Sequence, residues 1–154
     1  MDISWFMRVL NEFIARSANA EDNCTGRFWE GRFYSQALLD DAALAACMAY
    51  VDLNPIRAGI AEQLEESDYT SIQQRIQSAK NTDEPNQIDQ QPTKLYPFVG
   101  DYRNNMPDGL PFKLTDYLEL VEETGQCMRD DKRGYIKPNT QSLLQRLGIK
   151  TINW

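Results

Sequence analysis

The residues with the most chemical content lie in one stretch, GRFWEGRFYSQALLDDAALAACMAYVDLNPIRAGI, running from Gly26 to Ile60. Its first part interleaves the guanidinium groups of Arg27 and Arg32 with the rings of Phe28, Trp29, Phe33 and Tyr34. That mixture suits single-stranded or hairpin DNA, whose bases stack on aromatic faces while arginines meet phosphate oxygens. Arg57, in the string Asn-Pro-Ile-Arg-Ala-Gly, is a third cation of the same kind. The plainer alternative pairs each arginine with a nearby acid such as Glu30 or Asp52, the commoner fate of an isolated arginine. The second part of the stretch sets Tyr50 and Asn54 four residues apart, one helical turn. On residue type alone, Tyr50 reads as a core aromatic with a satisfied hydroxyl.

These residues need elements to hold them. Ile3, Phe6, Met7, Leu10, Phe13 and Ile14 recur at helical spacing, so an amphipathic helix starts within the first turn, with Asp2 and Ser4 as available caps. Ser17 to Gly26 is polar and turn-prone, and Arg27 to Leu39 suits an extended segment or strand. Asp40 or Asp41 then caps an alanine-rich helix that carries Tyr50. Pro55 lacks a backbone donor and pushes Asn54 away from helical geometry, so the helix should break there and a short turn, Pro55 to Ala58, should follow before Gly59. Further helices are expected near Thr70 to Ala79, Thr115 to Arg129 and Thr140 to Leu147. The polar, aperiodic KNTDEPNQIDQQPT between Lys80 and Thr93 reads as a linker or mobile loop. The expected organisation is therefore residues 1–80, a linker at 81–94, and a helical extension over 95–154.

Composition narrows the function classes. A chain of 154 residues with 42% hydrophobic residues can bury one ordinary core. A net charge of −7 argues against a broad, non-specific grip on nucleic acid, which needs many lysines and arginines, so any DNA contact must be local. Cys24, Cys47 and Cys127 have no CxxC pairing, which disfavours a zinc site and a disulfide framework and points to a reducing cytoplasm. No apolar run approaches the roughly 18 to 20 residues of a membrane span, and no signal peptide is present, so a cytoplasmic protein without membrane partners is expected.

Taken together, GRFWEGRF, the Ala/Leu helix and AYVDLNPIRAGI resemble the carboxy-terminal half of the catalytic domain in bacterial HUH-type tyrosine transposases, specifically the group associated with repetitive extragenic palindromes. The resemblance covers Met7 to Ser71, and the aromatic-basic motifs with Tyr-x-x-x-Asn-Pro-x-Arg-Ala-Gly are its specific part. GLPF and DKRGYI, farther along, are similar to carboxy-terminal extensions of longer members. The resemblance implies a ferredoxin-like α+β ancestry, here mostly helical with at most a few short strands. It implies DNA transposition by single-strand cleavage and joining, with Tyr50 as the nucleophile that becomes joined to a 5′ phosphate and Asn54 in a supporting role. In the complete family enzyme Mg2+ or Mn2+ polarises the phosphate.

The sequence departs from the family at one decisive point. The family's His-hydrophobic-His motif lies upstream of the matched region, and this chain contains no histidine. No metal site of the family kind is expected, and Asp52, two positions from Tyr50, should point away from it. Asp40 with Asp41 and Glu65 with Glu66 read as a cap and a solvated face. The expectation is a truncated member, inactive alone, whose first helix is internal to the complete protein. The alternative is a non-catalytic module that binds DNA or an intact transposase subunit, or its own copy; a decayed gene product is a third reading.

Overall fold

The computed structural model describes residues 2–127, 131–138 and 141–149. They form two compact units, residues 1–37 and 38–154, and the described residues are mostly helical. Among them the β structure is a single isolated bridge between Phe98 and Leu110. No helix among them is long and apolar enough to cross a membrane.

The first unit is helix α1, Ile3–Glu21, followed by a returning loop. The Asp2 carboxylate accepts from the Ser4 N–H at 2.8 Å, which satisfies one of the donors a helix start leaves open. After Glu21 the chain turns through Asn23, at φ 49°, and folds back along the helix. The Asn19 amide donates to Gly26 O at 3.1 Å and the Trp29 indole N–H to Asn11 O at 2.9 Å, so Trp29 is pinned to α1. The segment from Arg27 to Ala37 is neither helix nor strand, because a strand exists only where a neighbour takes up its backbone donors and acceptors. No residue of α1 is buried: Ile3, Trp5, Phe6, Val9, Leu10 and Phe13 are all exposed.

The second unit starts at Asp40, whose carboxylate accepts from Ala43 N at 2.7 Å and caps helix α2, Asp41–Asp52. After Leu53, the four-residue helix α3, Asn54–Arg57, follows with Pro55 in its first turn, where a missing N–H costs nothing. Helix α4, Ser71–Ala79, is capped by Thr70; α5 spans Leu114–Gln126 and α6 Leu143–Arg146. Ser142 and Gln145 form a reciprocal capping box at the start of α6. Arg129 and Thr140, expected as helix ends, lie outside the described residues.

The core gathers Leu53, Ile56, Ile72, Ile76, Phe98, Leu118, Val121 and Leu144. At its centre is Asp52, only 2% exposed. Its carboxylate accepts from Ser71 Oγ at 3.0 Å, from the Ile72 N–H at 3.2 Å and from the Tyr117 hydroxyl at 2.7 Å, which ties α2, α4 and α5 together. Arg75 stacks over the Phe98 ring at 4.4 Å and donates to Tyr96 O at 3.0 Å.

The stretch 81–94, read from sequence as a linker or mobile loop, is fastened to this core. Gln91 is buried, and its amide both donates to Phe98 O and accepts from Phe98 N, each at 2.8 Å, as a neighbouring backbone would. Asn86 Oδ1 accepts from Thr115 N at 3.1 Å, serving the first turn of α5 from outside the helix. Side-chain amides therefore supply the order that hydrophobic periodicity did not signal.

Burial, then the neighbouring Asp52 carboxylate, raises the Tyr117 pKa well above the usual phenol value, with Arg75 opposing. The folded chain therefore holds Tyr117 neutral at a pH where the unfolded chain ionises it. This contribution to stability is complete below pH ~10 and is lost as pH rises beyond it. Of the seven tyrosines, Tyr117 should be absent from the native phenolate titration followed by absorbance and appear only on unfolding. Asp52→Ala, which strands three donors, should lower the free energy of unfolding in urea by roughly 3 kcal/mol.

Candidate functional site

The sequence-derived candidates fall into two groups, one in each unit. Arg27, Phe28, Trp29, Arg32 and Phe33 belong to the first. Arg27 and Arg32 are exposed, and among the described residues neither is in an ion pair, so the alternative pairing with Glu30 is not made. Phe28 meets Trp29 edge-on, ring centroids 4.8 Å apart, and Trp29 remains 39% exposed although its N–H is fixed. Phe33 is half-buried. The loop thus offers two free guanidinium groups beside a partly anchored aromatic pair, the chemistry that a single strand requires.

Tyr50 stands in the last turn of α2 and is 57% exposed, so it is not a core aromatic. Successive helix residues are about 100° apart, so burying Asp52 turns Tyr50 outward. Ala42, Ala45, Ala46 and Ala49 recur at helical spacing beside it and, with Leu53, Leu120 and Lys132, line an apolar groove of about 440 Å³ that Tyr50 borders. Alanines keep it open, since larger side chains there would fill the space between α2 and α5. Asn54 is exposed beyond the break, and no hydrogen bond joins it to Tyr50 among the described residues.

Arg57 has a different place from the one its residue type suggested. It is only 9% exposed, and its guanidinium donates to Cys127 O at 2.7 Å, Thr124 O at 2.6 Å and Gly134 O at 3.5 Å. It therefore closes the carbonyl end of α5, where a cation also meets the negative end of the helix dipole. Its charge faces the chain's own backbone rather than a phosphate, and Asp52 is not its partner.

The surroundings of Tyr50 do not fit a divalent cation. The Asp52 carboxylate is turned inward and taken up by three donors, so it is not offered beside Tyr50, and Asn54 presents an exposed amide. Among the described residues no group of three or more histidine, cysteine, aspartate or glutamate side chains could hold a metal. Asp40 is the cap that the sequence suggested, whereas Glu65 is drawn inward by Arg146 at 3.3 Å rather than lying on a solvated face. On α5, desolvation first, and then Asp116, Glu123 and Glu122, raises the Glu119 pKa, which marks an acidic helix face.

Sequence reasoning missed Lys132 and the groove, because both depend on α5 and the segment after it lying against α2. It also missed Asp52 as an anchor, although one signal was available: an aspartate at the negative end of a helix is unfavourable unless other donors satisfy it. Comparison with known proteins gives no matching family model, no matching curated protein and no matching solved structure.

Because Arg57 satisfies three carbonyls, Arg57→Ala should destabilise the fold by roughly 2 to 3 kcal/mol. Arg57→Lys should restore only part of this, since an ammonium cannot span the same fork of acceptors. Urea unfolding of the three proteins checks both values.

Proposed function

We propose that this chain is a transposase-derived protein of the HUH tyrosine class, ferredoxin-like α+β by ancestry, and that it binds single-stranded or hairpin DNA without cleaving it alone. Arg27, Phe28, Trp29, Arg32 and Phe33 are its DNA contacts, and Tyr50 is the residue inherited for strand transfer, with Asn54, four residues on, in a supporting role. The observation that carries this reading is the solvent-facing phenol of Tyr50, held at the end of an anchored helix within Tyr-x-x-x-Asn-Pro-x-Arg-Ala-Gly. The unpaired Arg27 and Arg32 support the DNA contact, and the lack of histidine supports inactivity alone.

Incubation of the purified chain with single-stranded palindromic DNA and Mg2+ or Mn2+ should leave the DNA intact. A covalent adduct that disappears in Tyr50→Phe would overturn the inactivity. In the same preparation, replacing Arg27 and Arg32 with alanine should weaken binding several-fold and make the salt dependence shallower by about 1.4 in log–log slope, as two fewer phosphates are neutralised. Unchanged affinity would overturn the role given to this loop.

A second reading, a modulator that binds an intact transposase subunit, is favoured by the uncovered apolar side chains of α1. Mixing the chain with a full-length relative whose own tyrosine is phenylalanine tests it. Restored cleavage, with DNA attached at Tyr50, supports donation of the tyrosine; no association overturns the reading.

A further inference from the structure

The segment DKRGYIKP gathers three cations into six residues, Lys132 to Lys137, in a chain of net charge −7. Exposure alternates along it: Arg133, Tyr135 and Lys137 are exposed, while Gly134 and Ile136 turn inward, as successive residues of an extended chain do. The backbone is fixed at two points, Arg133 N to Arg57 O at 3.2 Å and Ile136 N to Gly125 O at 2.8 Å. Between these anchors Gly134 lies against the Ile56 carbonyl so closely that a Cβ would collide with it. The ribbon is therefore a preorganised row of cation, aromatic ring and cation. It forms one wall of a cleft of about 280 Å³, whose other wall includes Gly59, Glu62 and Gln63.

The charges in this cleft are not equivalent. Arg146 is held by Glu65 at 3.3 Å and Glu122 at 3.0 Å, so its charge is balanced within the fold. Among the described residues Arg133 and Lys137 are in no ion pair, and Glu62 is the acid that faces them across the cleft. An extended chain advances about 3.3 Å per residue, so the two cations lie up to roughly 13 Å apart, far enough to address different phosphates. The ring of Tyr135 between them, partly exposed, offers a face to a base. Lys132, at the start of the same ribbon, borders the groove beside Tyr50.

We propose that the Arg133–Lys137 ribbon and its cleft form a second contact surface for single-stranded nucleic acid, with Arg133 and Lys137 on two backbone phosphates and Tyr135 stacked on the base between them. The inference rests on the DNA-binding reading given above and adds a contact in the second unit, independent of Arg27 and Arg32. The ligand is a polynucleotide strand rather than a free anion, because a lone phosphate uses one cation and leaves the ring without a role.

Anisotropy of a labelled single-stranded oligonucleotide, titrated with the full chain at several salt concentrations, tests this. Arg133→Ala with Lys137→Ala should weaken binding about tenfold at low salt and make the log–log salt slope shallower by about 1.4. Tyr135→Ala should weaken binding at least several-fold with the slope unchanged, and Glu62→Gln should tighten it. Thermal melts should match the parent, since these side chains are exposed and the anchoring bonds belong to the backbone. If the parent chain binds and the double variant keeps its affinity and slope, the ribbon is overturned while the DNA-binding reading stands. If the parent chain does not bind, both fall. If Tyr135→Ala has no effect and polyphosphate displaces the strand equally well, the surface is a general anion site and the nucleic-acid assignment is overturned.

Discussion

The second unit depends on one buried carboxylate. Asp52 lies at the negative end of α2, where a charge of its own sign is unfavourable, and it is withdrawn almost wholly from water. Both costs are offset because it also sits at the positive start of α4, accepting from Ser71 and Ile72, and takes the Tyr117 hydroxyl of α5. One side chain thus ties three helices together at the point where their hydrophobic positions form the core. Removing it leaves donors with nothing to accept from them, a larger penalty than the loss of any single apolar contact nearby.

Two further polar fastenings extend the same logic outward. Arg57 gathers the last carbonyls of α5 together with that of Gly134, and the Arg57 carbonyl in turn accepts from Arg133. Glu122 takes the first N–H of α6 at 2.7 Å with one oxygen and Arg146 with the other, and Arg146 reaches on to Glu65. Short helices such as α3 and α6 have little intrinsic stability, so their positions are set by these links rather than by propensity. Part of the acidic excess of the sequence is accordingly consumed inside the fold.

Much of the helical framework was legible in the sequence because each element carries its own local signal. Asp40 before an alanine run, Thr70 before Ile72 and Ile76, and Pro55 after Asn54 each fix a boundary within a few residues of their position. What was not legible arises between distant residues. Gln91 standing in for a strand, Asn86 serving α5 and Arg57 closing its other end rest on polar partners 7 to 70 positions away, which periodicity does not register. The same holds at the site: the inward turn of Arg57 and the groove beside Tyr50 depend on where α5 ends.

The two kinds of information meet at Tyr50. A helix cannot bury residues two apart on the same side, because about 200° separates them. Once the carboxylate of Asp52 is committed to Ser71, Ile72 and Tyr117, the phenol at position 50 has no route into the core. Leu53 and Ile56, buried just before and within the proline-bearing turn, stop the helix from rotating to relieve this. The outward tyrosine is therefore a mechanical consequence of the inward aspartate. The same aspartate is thereby removed as a ligand for any cation near the tyrosine: the interaction that turns the phenol outward also denies it a carboxylate. A chain built in this way cannot bring Asp52 to the phenol of Tyr50 without giving up the anchor of its own fold.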